Sequence, residues 1–313
     1  MRREVESVLD PGGLYELGSE PPELRKPVLL CGMDGFVDAG AVGALARDKV
    51  LSGRDGKVVA TFDVDRLIDY RARRPVMTYV EDHWEGYEAP QLVVRATHDD
   101  AGVPFLLLAG PEPDHEWEGF TAAVGELIER LDVRLTVGFH GIPMAVPHTR
   151  PIGLTAHATR PELVADYTRR LGTVQVPGSA AALLELRLGQ AGRDALGFAV
   201  HVPHYLTQVA YPAAALTALD AVTAATGLTF GTEELRSAAE RTDSEIARQV
   251  EGSEELASIV HALERQYDEY VAARDRDDLS ESDLANLPTA EELGTQFERF
   301  LAEQERGRDT PDR

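Results

Sequence analysis

Cysteine, lysine and long apolar runs are scarce or absent in this sequence of 313 residues. The one cysteine, Cys31, excludes an intrachain disulfide and any zinc site built from several cysteines. No run of 18 apolar residues occurs, and acidic residues stand where a signal peptide would have its apolar core. We therefore expect a cytoplasmic protein with no membrane segment, and the sequence predicts no cofactor and no bound metal.

Positive charge is also in short supply. Lys and Arg number 31 against 54 Asp and Glu, which gives a net charge of −23. The negative electrostatic field of such a chain repels nucleic acid and anionic membrane surfaces unless basic residues are concentrated in one run. No such run is present. The apolar fraction of 43% is that of a globular protein, and a chain of this length can bury a large core.

The first 230 residues alternate between strand-like and helix-like segments. The apolar runs over 27–33 and 195–202 predict buried strands, and residues 38–51 have helical spacing. Further strands are predicted over 57–64, 91–97, 104–109, 133–140, 154–159 and 173–176. Further helices are predicted after an N-cap at Asp114, after an N-cap at Ser179, and over 207–226. This alternation predicts an α/β fold with a parallel or mixed sheet and helices on both faces.

The remaining residues differ in composition and predict a helical appendage. Residues 231–313 contain 10 Arg and 23 Asp or Glu, so 13 of the 23 net negative charges lie there. Helices are predicted over 232–251 and 254–273, and Thr289 and Glu292 form a capping box before a third. We expect an α/β core over 1–230, an acidic helical subdomain over 231–306 and a disordered tail over 307–313. The apolar stripe of the second helix packs either on the core or on a partner.

A glycine-rich loop follows the first buried strand and is the first candidate site. It contains Asp34, Gly35, Asp38 and Gly40 between a strand end and a helix start. Loops at the carboxyl ends of strands bind ligands in α/β sheets, and two carboxylates favour an amine, another cation or a sugar hydroxyl over a phosphate. The alternative is structural, with Asp38 capping the helix and Asp34 closing the turn.

Two histidine-containing segments follow later strands and could lie on the same edge of the sheet. The first runs from His140 through His148 to Arg150, and the second contains His201 and His204. Histidine titrates near neutral pH, and Arg150 could hold an anion through two hydrogen bonds. The His-x-x-His spacing alone is a loose metal pattern, so no metal is assigned. The alternative is that these histidines are hydrogen-bonded members of rigid loops.

An enzymatic interpretation gives each of these side chains a role. Asp34 or Asp38 would bind a polar or cationic group, His148 or His204 would act as acid or base, and Arg150 would anchor an anion. The candidate catalytic residues are thus His148, His204 and Asp34. The ligand-binding candidates comprise nine residues: Asp34, Gly35, Asp38, Gly40, His140, His148, Arg150, His201 and His204.

Several of these strings resemble one protein family. The loop over 32–40 resembles the opening loop of the proteasome assembly chaperone 2 family, and residues 135–151, 174–188 and 198–212 resemble its uncharacterised actinobacterial branch. The strings over 146–151 and 201–205 are the more specific part of this resemblance. The resemblance implies a three-layer α/β/α sandwich similar to purine nucleoside phosphorylase with a C-terminal α-helical appendage. It also implies self-association, with a trimer as the candidate assembly, and a protein partner related to the proteasome or another complex. No catalytic residue follows from it, and the chain ends Pro311-Asp312-Arg313 instead of in a hydrophobic–Tyr–any-residue docking tail.

Two functions from different classes therefore remain open. The first is an assembly or interaction protein, supported by the family resemblance and the acidic helical appendage. The second is a small-molecule-binding protein, hydrolase or transferase, supported by the Asp, His and Arg side chains of three loops. Side chains that lie far apart, or that are engaged in separate hydrogen-bond pairs, would argue against the second.

Overall fold

The computed structural model describes residues 13–18, 24–167 and 173–275 of the chain. The predicted capping box at Thr289 and Glu292 and the predicted tail over 307–313 lie outside these ranges. Most of the predicted α/β core and two of the three predicted C-terminal helices lie within them.

The described ranges contain ten strands in two sheets. The strands are β1 (Tyr15–Leu17), β2 (Val28–Asp34), β3 (Lys57–Phe62), β4 (Met77–Val80), β5 (His83–Tyr87), β6 (Val93–His98), β7 (Pro104–Pro111), β8 (Leu135–Met144), β9 (Leu154–Ala158) and β10 (Ala195–Pro203). Eight of them form one mixed sheet in the order β1-β3-β6-β7-β2-β8-β10-β9, and β4 pairs only with β5. The predicted mixed sheet is confirmed.

Four neighbouring strands at the centre of the large sheet, β7, β2, β8 and β10, run parallel. Leu30 of β2 pairs with Leu107 of β7 and with Val137 of β8, and all three side chains are fully buried. Strands covered on both faces need near-continuous apolar sequence, which is why β2 and β10 are the clearest strands in the sequence. The edge strands β1 and β9 pair antiparallel with their neighbours.

Helices cover both faces of this sheet. They are α1 (Val42–Leu51), α2 (Val64–Leu67), α3 (Trp117–Arg130), α4 (Ala180–Gln190), α5 (Pro212–Thr226), α6 (Glu233–Glu251) and α7 (Glu254–Asp275). The helices α1 and α5 share an apolar core with one face, and α3 and α4 share a second core with the other. The predicted three-layer α/β/α sandwich is therefore confirmed.

The C-terminal helices α6 and α7 form the predicted helical part and pack outside the α1–α5 layer. Leu235 and Ile246 of α6 belong to the core shared with α1 and α5. Val260 and Leu263 of α7 are buried, whereas Ile259 in the same predicted stripe is 38% exposed. The stripe of α7 is thus largely used for docking on the rest of the chain. None of the helices in the described ranges has the length and apolar character that a bilayer crossing requires.

The small sheet is a hairpin formed by β4 and β5. Residues 81–85 look like a solvated polar turn in the sequence, but residues 83–85 belong to strand β5. Five large apolar side chains at or next to the hairpin are at least half exposed: Val76, Met77, Tyr79, Trp84 and Tyr87. We call these five residues the hairpin patch.

Three local predictions are wrong. Asp114 does not cap α3, because its carboxylate accepts hydrogen bonds from the Asp69 backbone N–H and the Arg73 guanidinium, and the helix starts only at Trp117. Residues 173–176 form no strand, since 174–179 run in an irregular extended segment. The helix predicted from residue 207 begins at Pro212, where the fixed φ of proline suits the first turn.

Candidate functional site

The loops after the four parallel strands lie on one edge of the sheet, because parallel strands end on the same side. We call this edge the rim. It comprises four segments at the carboxyl ends of β2, β7, β8 and β10, namely residues 34–41, 111–116, 145–153 and 204–211. The expectation that the glycine-rich loop and the two histidine-containing segments approach one edge agrees with this strand order. Ligands of α/β proteins bind at this end of the strands.

Asp38 is held by backbone groups of two elements. Its Oδ1 accepts hydrogen bonds from the N–H groups of Gly43 (2.8 Å) and Gly141 (3.0 Å), and its Oδ2 accepts one from Ala44 (3.0 Å). Burial raises the pKa of Asp38, and these three hydrogen bonds oppose that rise. The carboxylate therefore caps the start of α1 and attaches it to β8, as the structural alternative predicts.

Gly40 joins the β2 loop to the loop after β10. Its N–H donates to the Thr207 carbonyl and its own carbonyl accepts from the Tyr211 N–H, at 2.9 and 2.8 Å. The φ angle of Gly40 is +67°, and a Cβ there would lie 3.0 Å from the Cβ of Tyr211. Only glycine satisfies both conditions without strain, so this residue has a clear structural role.

Asp34 lies at the end of β2 and forms an ion pair with Arg47 of α1. The Asp34 side chain is 52% exposed, whereas that of Arg47 is 15% exposed. Arg47 also donates to Asp48, so one guanidinium bridges two carboxylates. Arg47 was not among the sequence candidates, because a helical arginine gives no sign of the strand end that it contacts.

Glu112 is a buried carboxylate of the rim that sequence reasoning missed. It is 3% exposed, follows β7 directly, and lies below Gly35. Its Oε1 accepts from the Ala180 N–H at 2.6 Å and its Oε2 from the Phe36 N–H at 3.0 Å. It thereby attaches the start of α4 to the glycine-rich loop. Phe36 itself remains 56% exposed.

Arg150 contacts α7 through two carboxylates. Its Nε and Nη2 donate to Asp268 at 2.7 and 2.6 Å, and its Nη1 donates to Glu264 at 3.2 Å. Thr149 donates to the same Glu264 carboxylate at 2.6 Å. The hydrogen bond with Asp268 raises the pKa of Arg150, and the same contact lowers the pKa of Asp268. The guanidinium that could have anchored an anion is therefore occupied within the chain.

His148 and His204 lie on either side of Tyr205. Both the N–H and the Nδ1 of His148 are within hydrogen-bond distance of the Tyr205 hydroxyl, at 2.9 and 2.7 Å. The ring of His204 meets the Tyr205 ring edge-on, with centroids 5.4 Å apart. Burial lowers the pKa of both histidines. The negative charges of Asp243 on α6 and Glu264 on α7 act in the opposite direction on the pKa of His148.

His140 and His201 do not belong to the loops of the rim, since both lie inside strands. Phe139 and Val200 contribute to the core under α1 and α5, so alternation places His140 and His201 on the opposite face. Burial lowers the pKa of His140 to about 4, which keeps this ring neutral at pH 7. His201 is 2% exposed and its Nε2 lies 2.9 Å from the Thr155 hydroxyl.

The same face carries a second polar contact next to Cys31. His157 of β9 lies against Gly197, and its Nδ1 is 2.9 Å from the Glu185 carboxylate of α4. Burial raises the pKa of Cys31 to about 12, so this thiol stays protonated and is a poor nucleophile. Across the described ranges, no group of three or more His, Cys, Asp or Glu side chains is arranged to hold a metal ion.

The polar side chains that the sequence singled out are thus used in separate internal contacts. Asp34 pairs with Arg47, Asp38 with backbone N–H groups, and Arg150 with α7. This arrangement gives the loops of the rim a fixed shape, and it leaves few free hydrogen-bonding groups that could act on a substrate.

Comparisons with known proteins relate the chain to a family with the same fold. The sequence pattern of the PAC2 family matches residues 32–250. The chain belongs to the PAC2 family. This match covers the glycine-rich loop, the histidine-containing segments and most of α6. The resemblance to proteasome assembly chaperone 2 proteins is therefore confirmed.

Solved structures extend this PAC2 assignment to actinobacterial proteins. A Mycobacterium tuberculosis protein of unknown function, Rv2714, is 46% identical with a TM-score of 0.81, and the match covers 89% of this chain and 96% of that one. A Corynebacterium glutamicum protein of unknown function is 35% identical with a TM-score of 0.78, covering 82% and 98%. No curated protein matches the sequence.

A third structure shares the fold at lower identity. The Mycobacterium tuberculosis proteasome-assembly chaperone homologue Rv2125 is 23% identical with a TM-score of 0.69, and the match covers 74% of this chain and 99% of that one. The PAC2 sandwich is therefore common to proteins that differ in most of their residues.

Proposed function

We propose that this PAC2 protein is a chaperone-like assembly protein of the cytoplasm, which associates with itself and binds a protein partner. The observation that carries the proposal is the hairpin patch, because it is an apolar surface that no element of residues 13–18, 24–167 and 173–275 covers, in a strongly charged chain. The proposal gives the α/β core the role of a rigid support and the hairpin the role of a contact surface.

The hairpin patch has the composition of a protein interface. Trp84 is 63% exposed and Tyr79 56%, and their rings pack edge-on with centroids 5.0 Å apart. Aromatic residues are enriched at the centres of interfaces, and contiguous exposed apolar patches of a few hundred Å² mark interaction sites. A two-stranded hairpin is also only marginally stable in water by itself, so covering it would stabilise both the interface and the fold.

A second copy of the chain is the occupant that we propose for the hairpin patch. The net charge of −23 makes nonspecific contact between copies unfavourable, so association needs a localised apolar surface. The patch supplies one, and the strands β4 and β5 themselves carry no basic residue apart from His83. A symmetric arrangement such as the trimer expected from the resemblance would bring one hairpin per copy against a neighbour.

A separate protein partner would then bind the assembled form. The Rv2125 structure is described as a proteasome-assembly chaperone homologue, and we extend a role of that type to this chain as a proposal. The internally paired loops of the rim support it, because they present a fixed surface with Phe36 and Val209 exposed. We further propose that residues 1–230 form the supporting core and residues 231–306 an acidic helical subdomain.

The test of self-association is light scattering coupled to gel filtration. The double variant Tyr79→Ser/Trp84→Ser removes the two central rings of the hairpin patch, and Leu186→Ser is the control because it removes a 55% exposed apolar side chain from α4. We expect the wild type and the control to be oligomeric and the double variant to be monomeric with an unchanged circular dichroism spectrum. A monomeric wild type, or equal dissociation of both variants, would contradict the proposal.

A small-molecule function of the rim is the second candidate. The observation that favours it is the cluster of His148, His204 and Tyr205, in which both histidines have a lowered pKa and lie close to the acidic α6–α7 pair. In this proposal Asp34 binds a polar or cationic group and one of the two histidines acts as acid or base. Native mass spectrometry separates the two functions: a small mass retained by the wild type and lost in His148→Ala supports the second, whereas a bare oligomer supports the first.

A further inference from the structure

A pocket lies at the edge of the sheet opposite to the rim. It is formed where β7, β2 and β8 begin, and its volume is about 330 Å³. Its apolar side is made by Val28, Val103, Pro104 and Leu228. None of the contacts that carry the proposed function involves this region.

Three basic side chains also line the pocket, and among the described residues no acidic side chain does. They are Arg25, Lys26 and Arg134. Arg134 donates to the carbonyl of Thr226 at the end of α5, which is a neutral acceptor. Within the described ranges, the side chains of Arg25 and Lys26 have no ion pair and no hydrogen bond. No described carboxylate therefore pairs with these three exposed cations, in a chain where acidic residues outnumber basic ones by 54 to 31.

The buried carboxylate of Asp99 is bonded to groups other than these cations. Asp99 is 6% exposed and accepts hydrogen bonds from the backbone N–H groups of Ala101, Val103 and Thr229 and from the Thr229 hydroxyl. These bonds lower its pKa although burial opposes them. Asp99 thereby fixes the position of Val103 and of the segment that carries Leu228, so one buried carboxylate holds two parts of the apolar wall in place.

A favourable contact with a helix C-terminus accounts for the position of Arg134, but not for the positions of Arg25 and Lys26. Cations near helix C-termini are stabilised by the helix dipole, and Arg134 satisfies a carbonyl at the end of α5. Arg25 and Lys26 come instead from the segment before β2, and Lys26 has a φ of +48°, which is uncommon for a residue with a side chain. Arg25 and Lys26, which have no ionic partner among the described residues, thus lie beside an apolar wall, and Lys26 is there at the cost of a positive φ.

We infer that this pocket binds a small organic anion, namely a carboxylate or phosphate that carries an apolar group. The anionic end would contact Arg25, Lys26 and Arg134, and the apolar group would lie on the wall made by Val28 and Leu228. Charge-assisted hydrogen bonds to guanidinium groups are among the stronger ones in proteins, and a low-dielectric wall strengthens the attraction. The inference does not depend on the proposed assembly function, because it uses none of the residues of the hairpin patch or the rim.

Calorimetric titration of the full chain tests the inference with hexanoate, octanoate and inorganic phosphate as probes. The variant is Arg25→Gln/Lys26→Asn, since asparagine tolerates the positive φ of residue 26. The control is Arg241→Gln/Arg265→Gln, which removes the same charge from exposed positions on α6 and α7. Equal melting temperatures of the variant and the wild type show that the fold is retained.

We expect saturable binding of hexanoate to the wild type and to the control, and at least tenfold weaker binding to the pocket variant. Octanoate should bind about fifteenfold tighter than hexanoate, because each of its two additional methylenes contributes roughly a fourfold gain when buried. If the control variant binds hexanoate as weakly as the pocket variant does, the loss of binding follows from net charge alone, and the inference is overturned. A lack of saturable binding to the wild type at about 10 mM probe would also overturn it. Binding of inorganic phosphate, together with equal affinities for hexanoate and octanoate, would overturn the role of the apolar wall.

Discussion

The Glu112 carboxylate accepts a 2.6 Å hydrogen bond from the backbone N–H of Ala180, although the two residues are 68 positions apart in the chain. Its other oxygen holds the N–H of Phe36 in the glycine-rich loop. One buried side chain therefore connects the end of β7, the start of α4 and the loop after β2. The geometry of the rim depends on this contact as much as on the aspartates of the loop itself.

Replacement of Glu112 should destabilise the protein substantially. Glu112→Ala leaves the buried N–H of Ala180 and the partly buried N–H of Phe36 without this acceptor, which costs about 2–4 kcal/mol in the free energy of unfolding. Glu112→Gln keeps one acceptor oxygen, so a smaller loss is expected. Urea denaturation measures both. Glu234→Ala is the control, because its side chain is 84% exposed and should change stability by less than about 1 kcal/mol. Equal stability of Glu112→Ala and the wild type would contradict this account.

Substitution by alanine should change the stability of the protein very differently at two glycines of β8. A Cβ at Gly141 would lie 2.1 Å from the Ala39 carbonyl oxygen, whereas a Cβ at Gly138 meets nothing within 4 Å. Gly141→Ala must therefore push the glycine-rich loop away from the sheet, at a cost of about 2–4 kcal/mol. Gly138→Ala should be neutral or slightly stabilising. Thermal unfolding of the two variants tests this difference, and similar melting temperatures would show that the close approach at Gly141 is absent.

Removal of Arg150 should loosen α7 without unfolding the core. Arg150→Ala deletes the contacts with Asp268 and Glu264 that attach α7 to the loop after β8. Hydrogen exchange should become faster in α7 and stay unchanged in α5. Arg160→Ala is a matched control, since Arg160 makes two 2.6 Å hydrogen bonds to Asp194 in a different part of the surface. Unchanged exchange of α7 in Arg150→Ala would mean that apolar docking alone holds this helix.

The stability of the protein should fall as the pH is lowered from 7 to 5, partly because of His140. Its pKa is about 4 in the folded chain and near 6.5 when unfolded, so between these values the unfolded state binds more protons. Acid therefore favours unfolding in this window. His140→Gln should lose roughly 1–2 kcal/mol less than the wild type between pH 7 and pH 5. Parallel pH profiles of the two proteins would contradict the burial of a neutral His140.

The layers of the fold were predictable because they follow from local patterns. Continuous apolar runs gave β2 and β10, and periodic stripes gave α3, α6 and α7, with boundaries close to those observed. The hairpin of β4 and β5 was missed, because its strands are only four and five residues long and most of their side chains are exposed. The start of α3 was misplaced because Asp114 finds its hydrogen-bond partners in a segment 45 residues away.

The site was predictable in position but not in pairing. The order of the strands brings the glycine-rich loop and the histidine-containing segments to one edge, and short motifs are enough to indicate that. The partners of those residues come from distant elements: Arg47 for Asp34, and Asp268 for Arg150. A sequence without aligned relatives carries no signal for such contacts. The contribution of Glu112 was hidden for the same reason.

In the proposed assembly, another copy of the chain covers the hairpin patch. Hydrogen exchange of the wild-type hairpin, measured over a series of protein concentrations, tests this most directly. We expect the backbone N–H groups of β4 and β5 to exchange more slowly as the concentration rises, while those of β2 do not change. Exchange of the hairpin at one fast rate across the whole series would show that no second copy covers it and would contradict the account.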